Sequence, residues 1–195
     1  MTSTEQLQLA IIVGSTREGR FAPMVANWFA DQARQHQDFS VDVVDLAETE
    51  LPVVLGAELA PEAAATLARV SASLVKADAF VVITPEYNHS YPASLKNAID
   101  WHHKEWQAKP VGFVSYGGLA GGLRSVEHLR PVFAELHAVT VRDTVSFHMA
   151  WDKFDENGQP KDADGCNAAA KVMLDQLVWW GRALAEARAK RPYGQ

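Results

Sequence analysis

Ala10-Ile-Ile-Val-Gly-Ser-Thr-Arg-Glu-Gly-Arg20 is an apolar run that stops abruptly in a loop of two glycines, two hydroxyl side chains and two arginines. From Ala22 the apolar residues Val25, Phe29 and Ala33 recur at helical spacing, which predicts a helix with one core stripe to about Gln35. A buried strand that feeds a helix N-terminus through such a loop is an anion-binding geometry. The first helical amides have no partners within the helix, and the helix dipole is positive there. The anion expected is a phosphate.

The rest of the chain repeats the alternation that this stretch begins. Leu7–Val13, Val41–Leu46, Ala79–Thr84 and Val111–Tyr116 read as strands, and a fifth is interrupted near Arg142-Asp143 within 139–147. Helices are expected to open at Pro61 and at Pro92, to run from Ser125 to Leu136 with a kink or restart at Pro131, and to close the chain over 163–190. In the last helix Val172, Leu174, Leu177, Val178, Leu184 and one of Trp179 and Trp180 are expected to be buried. Five strands alternating with five helices imply a three-layer α/β fold, with a parallel sheet and helices on both faces. Ligands bind such sheets beyond the carboxyl ends of the strands, where the winding reverses. The loops after strands one, three and four therefore carry the functional reading.

In the first loop Gly14 permits a tight exit from the strand, Ser15 and Thr16 can donate to phosphate oxygens, and Arg17 and Arg20 can neutralise a dianion. Gly14 and Gly19 have P-loop spacing, but Arg20-Phe21 follow where the phosphate lysine and the magnesium hydroxyl would stand, which argues against nucleoside triphosphate hydrolysis. No G-x-G-x-x-G is present, and Asp45 reads as a strand-end residue rather than a ribose ligand. After strand three, Pro85-Glu86-Tyr87-Asn88-His89-Ser90-Tyr91-Pro92 sets backbone polar groups beside flat aromatic surfaces, which suits a planar heteroaromatic ring. After strand four, Ser115-Tyr116-Gly117-Gly118 and Gly121-Gly122 leave the backbone bare for close approach.

Gly14-Ser15-Thr16-Arg17, Pro85-Glu86-Tyr87-Asn88, Pro92-x2-Leu95-Lys96-Asn97-Ala98-Ile99-Asp100 and Ser115-Tyr116-Gly117-Gly118 together resemble the NAD(P)H-dependent FMN reductases, flavodoxin-like proteins that include quinone reductases and azoreductases. The resemblance runs from about Leu7 to Phe147 and implies one flavodoxin-like domain over 1–195, with sheet order 2-1-3-4-5. It implies an FMN whose phosphate lies against Ser15, Thr16, Arg17 and the stretch Arg20, Phe21 and Ala22. The ring would be held by Pro85, Glu86, Tyr87 and Asn88 on one side and by Ser115, Tyr116, Gly117 and Gly118 on the other. Many relatives carry a small hydroxyl residue where Arg20 stands, so Arg20 is read either as a phosphate ligand or as solvent-facing.

The activity implied is hydride transfer from NADH or NADPH through FMN to a small acceptor such as a quinone, an azo compound or free flavin. No second nucleotide-binding unit is visible, so donor and acceptor would use one open face in turn, giving ping-pong kinetics with no side chain as nucleophile. The rival reading is a flavodoxin-like electron carrier or redox-responsive binding protein without efficient NAD(P)H turnover. The resemblance also implies a homodimer or tetramer, with an exposed cluster of Trp101, His102 and Trp106 suited to the contact.

Composition agrees with an ordinary globular protein. Of 195 residues, 48% are hydrophobic and 22% charged, enough for a sizeable core, and no run approaches a membrane span. The net charge of -6 argues against a general nucleic-acid binder. The single cysteine, Cys166, reads as an inert small residue, and with an N-terminus lacking a secretory pattern it points to the cytoplasm. The seven histidines show no ligand spacing, and no metal is expected.

Overall fold

The structure, a computed structural model, describes residues 5–56 and 58–194. Its five strands are β1 (Leu7–Val13), β2 (Phe39–Asp45), β3 (Ala79–Pro85), β4 (Pro110–Gly117) and β5 (Val139–His148). They form one parallel sheet in the order β2-β1-β3-β4-β5. Strands β3 and β4 are apolar on both faces because both are covered. Helices α1 (Ala22–Gln35) and α5 (Ala163–Lys190) pack on one side. Helices α2 (Pro61–Lys76), α3 (Ala93–Asp100) and α4 (Leu123–Glu135) pack on the other. This is the expected flavodoxin-like order, and it leaves the carboxyl ends of β1, β3 and β4 side by side.

The interruption expected in the fifth strand is a bulge. Val111 pairs with Thr140 but Phe113 pairs with Thr144, so β5 carries extra residues at 141–143. The Arg130 guanidinium donates to the Val141 and Arg142 carbonyls, which supplies the bulge with the partners that β4 cannot. Of the kink or restart expected at Pro131, the restart does not occur: helix α4 is continuous through it, with Pro131 exposed.

Two other expectations are corrected. Trp106 and His102 are 1% and 2% exposed and form no surface cluster. The Trp106 ring packs against Phe80 and Phe133, at centroid distances of 4.8 and 5.4 Å, and its Nε1 donates to the His102 carbonyl. Both ring nitrogens of His102 are paired, with the Ala98 carbonyl and the Ser71 hydroxyl. Trp101 is half-buried and donates to the Pro52 carbonyl at 2.7 Å. The apolar partners come from α4 and β3, which no local reading of 101–106 contains. In α5 the buried stripe is Ala170, Met173, Leu174, Leu177 and Gly181 at helical spacing, so Val172 falls outside it and is exposed along with Trp179. Val178, Leu184 and Trp180 are half-buried at its edge.

Candidate functional site

Four loops meet at the carboxyl end of the sheet. In the first, Gly14 N donates to the Ile83 carbonyl at 2.9 Å, which carries the chain across the end of β3. Ser15 is fully buried, and its hydroxyl lies 2.7 Å from that of Tyr87. Thr16 and Arg17 are exposed at the tip. Helix α1 then begins at Ala22 with no side-chain cap and no acidic residue in its first turn, so its own first turn carries no side chain that offsets the positive end of its dipole.

In the second loop Asn88 and His89 both have positive φ, 50° and 73°, between a Tyr87–Ser90 pair whose backbone groups exchange hydrogen bonds of 2.8 and 3.1 Å. Positive φ at both central residues is the pattern of a type I′ turn, and asparagine tolerates it better than most residues. Glu86, just before it, accepts from the Arg124 guanidinium at 2.8 Å and from the Arg124 amide at 3.3 Å. That amide lies in the first turn of α4, whose N-cap, Gly122, has no side chain to offer, so Glu86 caps the helix from another loop.

The glycines of the third loop do different jobs. Gly117 and Gly118 face the cleft described below. Gly121 and Gly122 have φ of 60° and 83°, and a Cβ there would lie 2.6 Å from the His148 and Ser146 side chains or 2.7 Å from that of Ser115. They are required by packing beneath the loop and not by the approach of a ligand. Ser115, fully buried, donates its hydroxyl to the Gly121 carbonyl at 2.9 Å.

In the fourth loop Met149, with φ of 49°, donates its amide to the Gly118 carbonyl at 2.9 Å. A short 3₁₀ turn follows, Ala150–Asp152, that buries Ala150 and leaves Trp151 59% exposed beside Gly118.

Between these loops is a cleft of about 450 Å³, with Arg17, Gly19 and Phe21 on one wall and Pro85, Glu86 and Tyr87 on another, closed by Tyr116, Gly117, Gly118 and Trp151. Tyr116 is 5% exposed, and its hydroxyl is the one buried side-chain polar atom without a hydrogen-bond partner among the described residues. Burial, with the neighbouring Tyr87 hydroxyl, pushes its pKa well above the ordinary tyrosine value, so it stays protonated and able to donate. A buried hydroxyl left unpaired costs about 1–3 kcal/mol, and that of Tyr116 lies near the hydroxyls of Ser15 and Tyr87.

A sequence model of the family described as NADPH-dependent FMN reductase matches residues 7–152. The chain belongs to that family. An NAD(P)H-dependent FMN reductase of Schizosaccharomyces pombe is 34% identical over 134 residues, which cover 63% of this chain and 66% of the yeast protein. An FMN-dependent NADPH-azoreductase of Staphylococcus haemolyticus is 32% identical over 176 residues, 86% of this chain and 92% of its own length. Among solved structures, the flavoenzyme NAD(P)H:(acceptor) oxidoreductase FerB of Paracoccus denitrificans superposes with a TM-score of 0.71 at 22% identity, covering 91% of this chain and 98% of that one, which shows the shared fold. The protein is therefore an FMN-dependent oxidoreductase that uses NAD(P)H.

The site fits FMN on its own observations. An uncapped helix start beside the exposed Arg17 offers a place for the phosphate. The bare Gly117-Gly118 backbone offers room for a flat ring.

The reductase brings most of the sequence-predicted residues to this cleft, which Arg17, Arg20, Phe21, Pro85, Glu86, Tyr87, Tyr116, Gly117 and Gly118 line directly. The hydroxyls of Ser15 and Ser115 are engaged with protein partners, Ala22 is buried in the first turn of α1, Asn88 is at the exposed turn tip, and Thr16 borders a neighbouring groove. Arg20 does not face solvent. Its guanidinium grips Asp45 at 2.5 and 2.7 Å and donates to the Ser15 carbonyl at 2.8 Å. Arg124 and Trp151 join the site without a local signal, the first inside an amphipathic helix and the second inside a polar stretch.

Proposed function

We propose that the carboxyl-end cleft is the FMN site of this reductase and that quinones, azo compounds or free flavin are its acceptors, with NADH or NADPH as donor. The observation that carries this reading is the carboxyl-end cleft of about 450 Å³, set between the exposed Arg17 beside the uncapped start of α1 and the bare Gly117-Gly118 backbone. Bound FMN supplies the two-electron chemistry, taking hydride from the nicotinamide and delivering electrons to the acceptor. The chain's residues bind and orient it. The backbone over 15–22 and Arg17 hold the phosphate. Pro85, Glu86, Tyr87 and Asn88 flank one side of the ring, and Ser115, Tyr116, Gly117 and Gly118 flank the other.

The protein's electrostatic contribution is fixed in advance. The Glu86 carboxylate is tied to Arg124 and to the N-terminus of α4, so the cleft does not present an unpaired anion to an incoming nicotinamide. Donor and acceptor enter by the same open face and leave before the other binds. No side chain acts as a nucleophile. The proposal includes one working domain over 1–195, a cytoplasmic location in line with the single cysteine, and a homodimer or tetramer. Because Trp106 and His102 are buried within the chain, the subunit contact must use other residues. None of the helices described is long and apolar enough to cross a membrane.

The test is an anaerobic titration of FMN-loaded protein with NADH and with NADPH, followed by a quinone, an azo dye and free FMN. The flavin absorbance should bleach with one equivalent of the preferred nicotinamide and return with an acceptor. A flavin that neither nicotinamide bleaches would leave the protein a carrier.

A further inference from the structure

The two arginines of the first loop are not equivalent. Arg17 is exposed and has no ion-pair partner among the described residues. Arg20 is half-buried, and three of the five donors of its guanidinium are spent on both Asp45 oxygens and the Ser15 carbonyl. Its own amide donates back to the Arg17 carbonyl at 3.2 Å, closing the turn from within. Asp45 is itself anchored. It ends β2, and the carboxylate oxygen that meets Arg20 also accepts from the Ala47 amide at 3.0 Å and caps the 3₁₀ turn Leu46–Glu48.

A bidentate arginine–carboxylate pair is geometrically specific and nearly neutral at a distance. Such a pair contributes little attraction to a phosphate dianion, but it fixes where the backbone of the loop points. Here it joins the loop between β1 and α1 to the neighbouring strand, 25 residues away in sequence.

We propose that Arg20 is a positioning residue: clamped to Asp45 and to the Ser15 carbonyl, it holds the loop over 14–21 in its anion-accepting shape, while Arg17 supplies the unpaired cation that meets the phosphate. This rests on the reading of the cleft as the FMN site. The Arg20 head group is turned onto β2 and leaves the loop amides to the ligand.

The clamp is tested by hydrogen exchange of the loop amides in the apoprotein, together with FMN and riboflavin titrations at low and high salt. Arg20→Ala and Asp45→Asn should each speed exchange across 14–22, whereas Arg17→Ala should leave it unchanged. For FMN, Arg20→Ala should raise Kd by about tenfold, the effect of losing charge-assisted hydrogen bonds. The double variant Arg20→Ala/Asp45→Ala, which removes the pair without unmasking the Asp45 carboxylate, should be no weaker than Arg20→Ala and should keep the wild-type salt dependence. Arg17→Ala should flatten the salt dependence, because it removes the screened charge. Arg20→Lys keeps the charge without the planar fork and should not restore affinity. The proposal is overturned if Arg20→Ala leaves loop exchange unchanged, if the charge-neutral double variant Arg20→Ala/Asp45→Ala flattens the salt dependence as Arg17→Ala does, or if Arg20→Lys binds FMN like the wild type; the last two results would make Arg20 a direct phosphate ligand. A wild-type protein that takes up no FMN would defeat the flavin reading, and the exchange comparison would still decide the clamp.

Discussion

The two ends of the sheet solve opposite problems with the same kinds of residue. At the amino end, polar groups are closed against one another. Asp78 accepts from the Gln8 amide at 3.0 Å and from Arg188 at 3.2 Å, and Arg188 also donates to the Ala108 carbonyl at 2.5 Å. Arg182 pairs with Asp38 at 2.5 Å. Lys109, 7% exposed, donates to the Leu74 and Val75 carbonyls at the end of α2, supplying partners that the helix cannot. At the carboxyl end, Tyr116 has an unpartnered hydroxyl and α1 begins uncapped, whereas non-glycine residues with positive φ occur at both ends, Asn88, His89 and Met149 here and Ala108 and His137 there. One end is completed by the chain alone, and the other leaves polar groups unpaired where FMN is proposed to bind.

Changes at the amino end should therefore move stability and spare flavin affinity, and changes at the carboxyl end should do the reverse. The largest effect expected is at Lys109. Burial and the neighbouring Arg188 lower its pKa from 10.5 to about 8. Between those values the unfolded chain holds a proton that the folded chain has released, so stability should rise with pH across that window, by on the order of 3 kcal/mol in full. Chemical denaturation at stepped pH should show the rise in the wild type and its loss in Lys109→Met. FMN affinity at fixed pH should be the same in both.

Asp78→Ala should come next, destabilising by about 2 kcal/mol by leaving Arg188 and the Gln8 amide short of partners. Denaturant midpoints with and without FMN would check it, the ligand's stabilising increment being unchanged. Tyr116→Phe should give the smallest change in stability and the opposite sign. Removing an unpaired hydroxyl should leave the apoprotein equal or more stable by up to about 1 kcal/mol, while weakening FMN binding. A Tyr116→Phe protein that melts earlier and binds FMN normally would erase the contrast between the two ends.

The same division marks what could be read from the sequence. The spans of β1, α1 and α5 follow from continuous apolar runs and helical periodicity, which are local signals, and the sheet order followed from the family resemblance. Trp106 looked exposed because its packing partners, Phe80 and Phe133, come from other elements. The partners of the site residues were equally hidden. Asp45 lies 25 residues from Arg20 and Arg124 lies 38 from Glu86, and only the folded sheet brings them together. Motif spacing identified the loops that form the cradle but could not show that the hydroxyls of Ser15 and Ser115 are spent on protein partners while that of Tyr116 is left over.

The central claim is that the carboxyl-end loops recognise FMN by its phosphate as well as by its ring. Calorimetric titration of the apoprotein with FMN and with riboflavin, repeated with Arg17→Ala, tests it most directly. One FMN should bind per chain, riboflavin should bind at least about tenfold more weakly, as expected for the loss of charge-assisted contacts at a helix N-terminus, and Arg17→Ala should narrow that gap. Equal affinity for the two flavins, or a gap that Arg17→Ala leaves untouched, would contradict the account.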